Sequence, residues 1–149
     1  MIIYLDIDGV MLKANSWQKP DILDDGFMRF NKSAVNSLNN ILEKTSAHIV
    51  LISSHRNRYS EEKWIKLFKS RGVNIDKISL LSETGENRKS EILNHLGNNN
   101  INHFVIIDDD KSLNGLPNYL KDNLIQTFSG IGLTYELSKI AINKLLEND

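Results

Sequence analysis

Apolar runs of strand length alternate along this chain with longer amphipathic stretches. The runs predict strands at residues 2–5, 47–52, 78–81, 104–107 and 124–127. Those at 47–52 and 104–107 are nearly continuous in apolar residues, which is typical of parallel strands buried on both faces. Strands that alternate with helices indicate βαβ units with right-handed crossovers. The sequence therefore predicts an α/β fold with a mostly parallel sheet.

Apolar residues spaced three and four positions apart predict the helices between these strands. The helices are predicted to begin at Ser33, after Ser60, at Ser90 and at Thr134. Ser33 is a suitable N-cap, while Gly72 and Gly97 mark the ends of the second and third helices. The inward-facing residues are expected to be Val35, Leu38, Ile41, Leu42, Trp64, Leu67, Phe68, Ile92, Leu93, Leu96, Leu137, Ile140, Ala141 and Leu145. Residues 11–31 have weak periodicity and are predicted to form an extended excursion.

Composition sets the broad class of the protein. The chain has 149 residues, of which 40% are hydrophobic and 25% charged. This predicts one domain over residues 1–149, since a chain of this size buries roughly two-thirds of its unfolded surface. The absence of cysteine excludes disulfides, thiolate metal sites and cysteine nucleophiles, and it is compatible with a reducing compartment.

The charge pattern gives no overall signal for nucleic-acid binding, because the net charge is −1. The basic strip of Lys63, Lys66, Lys69 and Arg71 is interpreted as the solvated face of a helix. No segment approaches the ~20 apolar residues of a membrane span, and the N-terminus does not have the layout of a signal peptide. We therefore expect a cytoplasmic protein with no membrane partner and no obligate protein partner.

The segment Asp6-Ile7-Asp8-Gly9-Val10 follows the first apolar run directly. Alternate side chains of a strand point to the same face, so Asp6 and Asp8 would lie side by side and repel each other. A hard cation bound through oxygen ligands, typically Mg²⁺, would neutralise them. A surface turn after a strand is the alternative interpretation, because Asp and Gly are common turn residues.

Polar side chains follow three separate predicted strands, and the combination favours the metal site over the turn. They are Asp6 and Asp8 after the first strand, Ser53 and Ser54 after the second, and Asp108 and Asp109 after a later one. Ligands of open parallel sheets bind at the carboxyl ends of the strands. Arg88 or Lys89, at the start of a helix, adds a cation to the same rim. The sequence therefore predicts a site for phosphate and metal.

This set of residue types suits phosphoryl transfer. An aspartate carboxylate can attack phosphorus to form an aspartyl-phosphate, and a second aspartate two residues on can protonate the leaving oxygen and then activate water. A serine hydroxyl with nearby backbone N–H groups can hold a phosphoryl oxygen, while a Lys or Arg screens its charge. Asp108 and Asp109 would complete the Mg²⁺ ligands.

The motifs resemble those of the haloacid dehalogenase-like (HAD) phosphatase superfamily over most of the chain. Residues 6–10, 49–56 and 106–109 resemble its first, second and fourth motifs, and residues 88–92 lie where the third belongs. More narrowly, several stretches are similar to the HAD domains of multi-domain RNA-repair proteins. The resemblance implies a Rossmann-like three-layer sandwich, with Asp6 as nucleophile and Asp8 as general acid and base. It leaves open Ser53 or Ser54, Arg88 or Lys89, and which of Asp108 and Asp109 binds metal directly.

The short stretch between the first two motifs leaves no room for a large cap domain. Superfamily members without a cap resemble open-site enzymes that act on bulky substrates, such as nucleic-acid ends carrying a 3′-phosphate or phosphoproteins. Lys13, Trp17 and Arg56 are candidates for contacting such a substrate, although packing against its own loop is the favoured interpretation of Trp17. His55, beside the predicted phosphate loop, is a candidate donor to a phosphoryl oxygen.

Two functions without turnover compete with a phosphohydrolase. The first is a phosphoryl-accepting module of the response-regulator type, which also carries acidic residues, a Ser or Thr and a Lys on a parallel sheet. Such modules have their acceptor Asp at the end of a middle strand, whereas the middle strand here is expected to end in Ser53. The second is a quiet relative that binds phosphorylated partners. Asp8 favours the enzyme, since turnover requires an acid two residues after the nucleophile.

Overall fold

The computed structural model describes residues 1–14, 19–84 and 86–147, and it contains one five-stranded sheet in which every pairing is parallel. The strands are β1 (Ile2–Leu5), β2 (His48–Leu51), β3 (Ile78–Leu80), β4 (Phe104–Asp108) and β5 (Leu124–Gln126). The helices are α1 (Lys32–Thr45), α2 (Glu61–Ser70), α3 (Arg88–Asn98), α4 (Asn118–Lys121) and α5 (Tyr135–Leu146). The predicted α/β class and parallel sheet are confirmed.

Two apolar cores lie on the two faces of the sheet, which gives the three-layer sandwich. Because strand residues alternate between faces, Ile3 and Leu5 join one core while Tyr4 joins the other. The first core packs the sheet against α1, α2 and α5, and the second packs it against α3 and the segment that ends with α4. Helices on both faces leave only the strand ends open to ligands.

The strand order is β3-β2-β1-β4-β5, so β1 lies in the middle of the sheet. The expectation that the middle strand ends in Ser53 is therefore wrong, because Ser53 follows β2. Chain order does not reveal this, since β4 pairs with β1 across about 100 residues of sequence (Leu5 opposite Ile107). As a result, Asp6 emerges at the centre of the carboxyl edge.

Helix ends differ from the prediction where an asparagine competes with a serine for the cap. α1 is capped by Asn31, whose side chain accepts from the backbone N–H of Ser33, so Ser33 is not the N-cap. α3 likewise begins two residues early, after the Asn87 cap, and continues past Gly97. α2 begins after Ser60 as predicted, with Ser60 as its cap, and α5 begins one residue after the predicted start, with Thr134 as its cap. The early start of α3 brings Arg88 into its first turn.

Most of the residues predicted to face inward are buried, with one clear exception. Ile140 is 46% exposed on the outer side of α5, where the helical spacing had placed it inward. The 3₁₀ turns at Arg56–Arg58 and Lys111–Gly115, and the single turn of α4, were not predicted. These elements are too short to produce a helical period.

The excursion between β1 and α1 contains only isolated bridges in its described residues, with no helix or strand. Two backbone hydrogen bonds fix it, one within the excursion and one to a distant segment. The backbone N–H of Asn31 donates to Met11 O at 2.9 Å, and that of Leu133 donates to Val10 O at 2.9 Å. Gly132 makes the second contact possible: it has φ +82°, and a Cβ there would lie 2.6 Å from Val10 O. The small excursion agrees with a fold that has minimal or no cap.

Arg71 departs from the predicted solvated strip. Its side chain is 3% exposed and pairs with Asp25, whereas Lys63, Lys66 and Lys69 are exposed as expected. Arg71 also donates to the carbonyls of Phe27 and Met28, so it ties the excursion to the end of α2. The hydrogen bonds from Arg71 hold the pKa of Asp25 below its usual value.

No helix in the described part of the chain is long and apolar enough to cross a membrane.

Candidate active site

Three carboxylates meet at the centre of the sheet edge: Asp6, Asp108 and Asp109, here called the acidic cluster. One oxygen from each lies within 4.8 Å of one from each of the others. Asp6 directly follows β1 and Asp108 is the last residue of β4, and these adjacent strands run in parallel. The backbone N–H of Asp6 donates to Ile107 O at 3.0 Å, which continues the ladder to this point. The sheet itself therefore brings the cluster together.

Burial and mutual repulsion make the charges of this cluster costly. Asp6 is 3% exposed and Asp108 is fully buried. Burial, followed by the neighbouring charge of Asp108, raises the pKa of Asp6 to about 9. Burial also raises the pKa of Asp108 above its usual value. Proton release from these two groups is therefore opposed in the absence of a compensating cation.

Arg88 brings a positive charge to the acidic cluster. Its Nη1 lies 2.7 Å from Oδ2 of Asp108 and 3.6 Å from Oδ2 of Asp6. Burial opposes the charge of the guanidinium, but the attraction of Asp108 and Asp6 outweighs it and raises the pKa of Arg88. The side chain of Lys89 lies beside Gly115. Its Nζ is 3.7 Å from the position that a Cβ would occupy at that glycine. Of the two predicted cations, the structure thus brings Arg88 to the cluster.

The acidic cluster is suited to a divalent cation. Three carboxylates against one guanidinium leave an excess of negative charge, and their oxygens are the ligands that hard cations prefer. Two of the carboxylates are already held in position. Ser129 Oγ donates to Asp109 Oδ2 at 2.8 Å, and the backbone N–H of Asp110 donates to Asp108 Oδ1 at 3.0 Å.

Gly9 allows the carboxylate of Asp109 to lie against the loop after β1. Gly9 has φ +78°, and a Cβ at this position would come within 2.0 Å of Asp109 Oδ2. Thr127 fixes the same loop from the other side, because its hydroxyl donates to Gly9 O at 2.7 Å. Thr127 and Ser129 were not predicted. The available signal was their position after β5, at the same edge as the other site residues.

Asp8 does not join the acidic cluster through its side chain in the described structure. Its carboxylate is 51% exposed, and Oδ2 lies 2.9 Å from Nε2 of His55. The role of Asp8 as a metal ligand therefore stays a prediction, since this carboxylate faces the loop after β2. This position suits a group that exchanges protons with a substrate or with water.

The loop after β2 carries both candidate serines. Ser53 is fully buried, and its Oγ accepts from the backbone N–H of His55 at 3.1 Å. Ser54 is exposed and lines a cavity of about 410 Å³ together with Asn87 and Arg88. Both serines thus lie at the site, and the choice of phosphate contact remains a prediction.

Arg56 has a different environment from the one expected of a substrate contact. It is 5% exposed and makes five hydrogen bonds, as many as a guanidinium has N–H groups. The acceptors are Leu81 O, Ile52 O, Ser53 O and both carboxylate oxygens of Glu91. Arg56 therefore holds the loop after β2 in place, and its donors are already engaged.

Lys13 is exposed at the rim of the site. It lines a cavity of about 470 Å³ with Lys19, Arg29, Phe30 and Asn31, among others. The next residue, Ala14, donates its N–H to Ser129 O at 2.7 Å, which ties this segment to the loop that holds Asp109. Trp17 lies outside the described residues.

Removing the charge of Asp6 is expected to stabilise the protein without metal. The pKa of Asp6 is about 9, against an ordinary value of 3.8, so folding stability is lost as the pH rises from about 4 to about 9. Asp6→Asn should therefore have the higher Tm in chelator at pH 8, by a few degrees, and the difference should shrink towards pH 5. Thermal melts across this range test the prediction, and a Tm difference that does not change with pH would contradict it.

A protein-family model described as HAD domain in Swiss Army Knife RNA repair proteins matches residues 2–137. The matched region includes the acidic cluster, Arg88 and the loop after β2. No curated protein and no solved structure gives a match.

Proposed function

Because the chain belongs to the family of HAD domains in Swiss Army Knife RNA repair proteins, we propose that it is a Mg²⁺-dependent phosphohydrolase that works through an aspartyl-phosphate on Asp6. The observation that carries this proposal is the acidic cluster beside Arg88, with two buried carboxylates that need a cation. Mg²⁺ held by Asp6, Asp108 and Asp109 would offset negative charge on the phosphoryl oxygens.

In the first step, a carboxylate oxygen of Asp6 attacks phosphorus and the bond from phosphorus to the leaving oxygen breaks. Asp8 gives its proton to that oxygen, so the product departs as an alcohol. Arg88 lies within 3.6 Å of Asp6 and offsets charge on the transferred group. The central position of Asp6 supports this role, since its backbone is held by the sheet.

In the second step, Asp8 takes a proton from water while the water oxygen attacks phosphorus. The bond between Asp6 and phosphorus breaks, which releases inorganic phosphate and restores both carboxyl groups. The exposed carboxylate of Asp8 supports this role, because it must reach the leaving group and water in turn. Ser53, Ser54 and the backbone N–H groups of their loop are the proposed contacts of the phosphoryl oxygens.

For the substrate we propose a phosphate on a bulky monoester, in particular a nucleic-acid 3′-phosphate end. The small excursion after β1 supports an open site. Lys13, Lys19 and Arg29 line one cavity with a single carboxylate, Asp21, so this surface is basic although the chain as a whole is not. Such a surface suits the phosphodiester backbone that precedes a terminal phosphate.

Phosphate release from an aryl phosphate, with Mg²⁺ and with chelator, tests the reaction. We expect release in Mg²⁺ that chelator stops. Stoichiometric retention of phosphate on the protein without release would instead favour the phosphoryl-accepting module, and no transfer at all would contradict the enzyme.

A length series tests the substrate. We expect kcat/KM to be higher for a 3′-phosphorylated oligonucleotide than for a nucleoside 3′-phosphate, and to fall as salt rises. Lys13→Gln should lower kcat/KM for the oligonucleotide several-fold and leave kcat/KM for the nucleoside 3′-phosphate unchanged. Lys77→Gln is the matched control, because Lys77 precedes β3 at the opposite edge of the sheet. Equal kcat/KM for both lengths would contradict the proposed substrate.

A further inference from the structure

One contact of the site has no role in the reaction described above: the hydrogen bond between His55 and Asp8. Nε2 of His55 lies 2.9 Å from Oδ2 of Asp8. The two residues come from different strands, since Asp8 follows β1 and His55 lies in the loop after β2. The Asp8 carboxylate is half exposed, whereas the imidazole is only 22% exposed. The histidine is therefore the better anchored partner of the pair.

The direction of this hydrogen bond follows from the second nitrogen of the ring. Nη1 of Arg58 lies 3.4 Å from Nδ1 of His55. A guanidinium has no acceptor, so Nδ1 must accept, and a neutral ring then carries its proton on Nε2. His55 therefore donates to Oδ2 of Asp8, and Oδ1 is the oxygen left to carry the transferred proton.

The imidazole itself is held by the apolar core. Its ring meets Phe27 edge to face, with centroids 5.4 Å apart, and Phe27 is 1% exposed. The guanidinium of Arg58 lies 5.5 Å from the Phe27 centroid and 5.8 Å from that of Tyr59. The backbone N–H of His55 also donates to Ser53 Oγ. The residue is thus fixed on both its ring and its backbone.

We propose that His55 is a positioning residue that holds the Asp8 carboxyl group so that Oδ1 exchanges a proton with the leaving oxygen. Without this anchor, the half-exposed side chain of Asp8 would turn about its χ bonds and reach the leaving oxygen in only part of the molecules. The inference rests on the proposed function, in which Asp8 is the acid and base.

The test uses phosphate monoesters whose leaving groups differ in basicity, with kcat/KM as the readout, because this constant reports the step that expels the leaving group. An alkoxide needs a proton from Asp8, whereas 4-nitrophenolate departs without one. His55→Ala should lower kcat/KM by roughly tenfold or more for an alkyl phosphate, and by much less for 4-nitrophenyl phosphate. His55→Gln, which retains a side-chain N–H donor, should recover part of the loss.

Two further variants make the result specific. Asp8→Asn should show the same dependence on the leaving group, and adding His55→Ala to it should cause no further loss. His103→Gln is the matched control, because His103 precedes β4 at the opposite edge and should leave kcat/KM unchanged. An equal loss for all leaving groups, or additive losses in the double variant, would overturn the positioning role while the phosphohydrolase stands.

The hydrogen bond can also be measured without turnover. Imidazole ¹⁵N shifts of the native protein should show His55 protonated on Nε2 alone, and Asp8→Asn should shift that signal more than those of His48, His95 and His103. A ring protonated on Nδ1 alone would overturn the inference. Failure of the proposed function has a different signature, since the native protein would then release no phosphate from any of the monoesters.

Discussion

Phosphate release should fall by at least about a thousandfold when Asp6 is replaced by asparagine. The amide is nearly the same size as the carboxylate but carries no charge with which to attack phosphorus. The protein should remain folded, because a neutral amide replaces a buried carboxyl group whose pKa is already raised, and whose charge is therefore unfavourable in the fold. The measurement is kcat/KM for an aryl phosphate in Mg²⁺, with a thermal melt of the same sample.

Asp76→Asn is the matched control for this loss. Asp76 is fully exposed, and its ion pair with Lys69 is a long contact of 3.9 Å. The same chemical change there should leave kcat/KM within the error of the assay. If Asp6→Asn retained a tenth of native activity, Asp6 would not be the nucleophile, and the aspartyl-phosphate would have to be abandoned.

The largest loss of stability is expected from Arg56→Met, at about 3–5 kcal/mol. Methionine fills much of the space of the side chain but offers none of its five hydrogen bonds. Glu91, which is 7% exposed, would be left as a buried charge without its partner. Urea unfolding at neutral pH measures the loss as a lower midpoint.

Two variants separate the ion pair from the size of the side chain. Arg58→Met makes the same change two residues away at an exposed position, so its cost should stay below about 1 kcal/mol. Adding Glu91→Met to Arg56→Met should restore much of the stability, because it removes the unpaired charge. Equal midpoints for the Arg56 and Arg58 variants would contradict the structural role of Arg56.

Local patterns were enough to predict the elements and the edge at which the site lies. Apolar runs follow from burial on both faces of a parallel sheet, and helical spacing follows from burial on one face. Asp6, Ser53 and Asp108 each come directly after or at the end of such a run, and parallel strands end at a common edge. A shared site could be predicted without any interatomic distance, because ligands of open parallel sheets bind at the carboxyl ends of the strands.

Sequence spacing is less informative at helix ends and within short turns. Asn31 and Ser33 are both good caps, and the choice between them depends on which side chain reaches the free N–H. The same uncertainty of one or two residues left Arg88 and Lys89 equivalent. Neighbouring helix positions point about 100° apart, so one of these side chains reaches the acidic cluster and the other does not.

The sequence by itself thus determined the fold class, the family and the candidate residues, because each of these depends on residue types and on spacing along the chain. Only the tertiary structure decided the partners of those residues. It placed β1 at the centre, paired Arg56 with Glu91 and turned Asp8 towards His55. These contacts join residues that lie 35 to 102 positions apart in the sequence. Their geometry is set by packing, which no local pattern encodes.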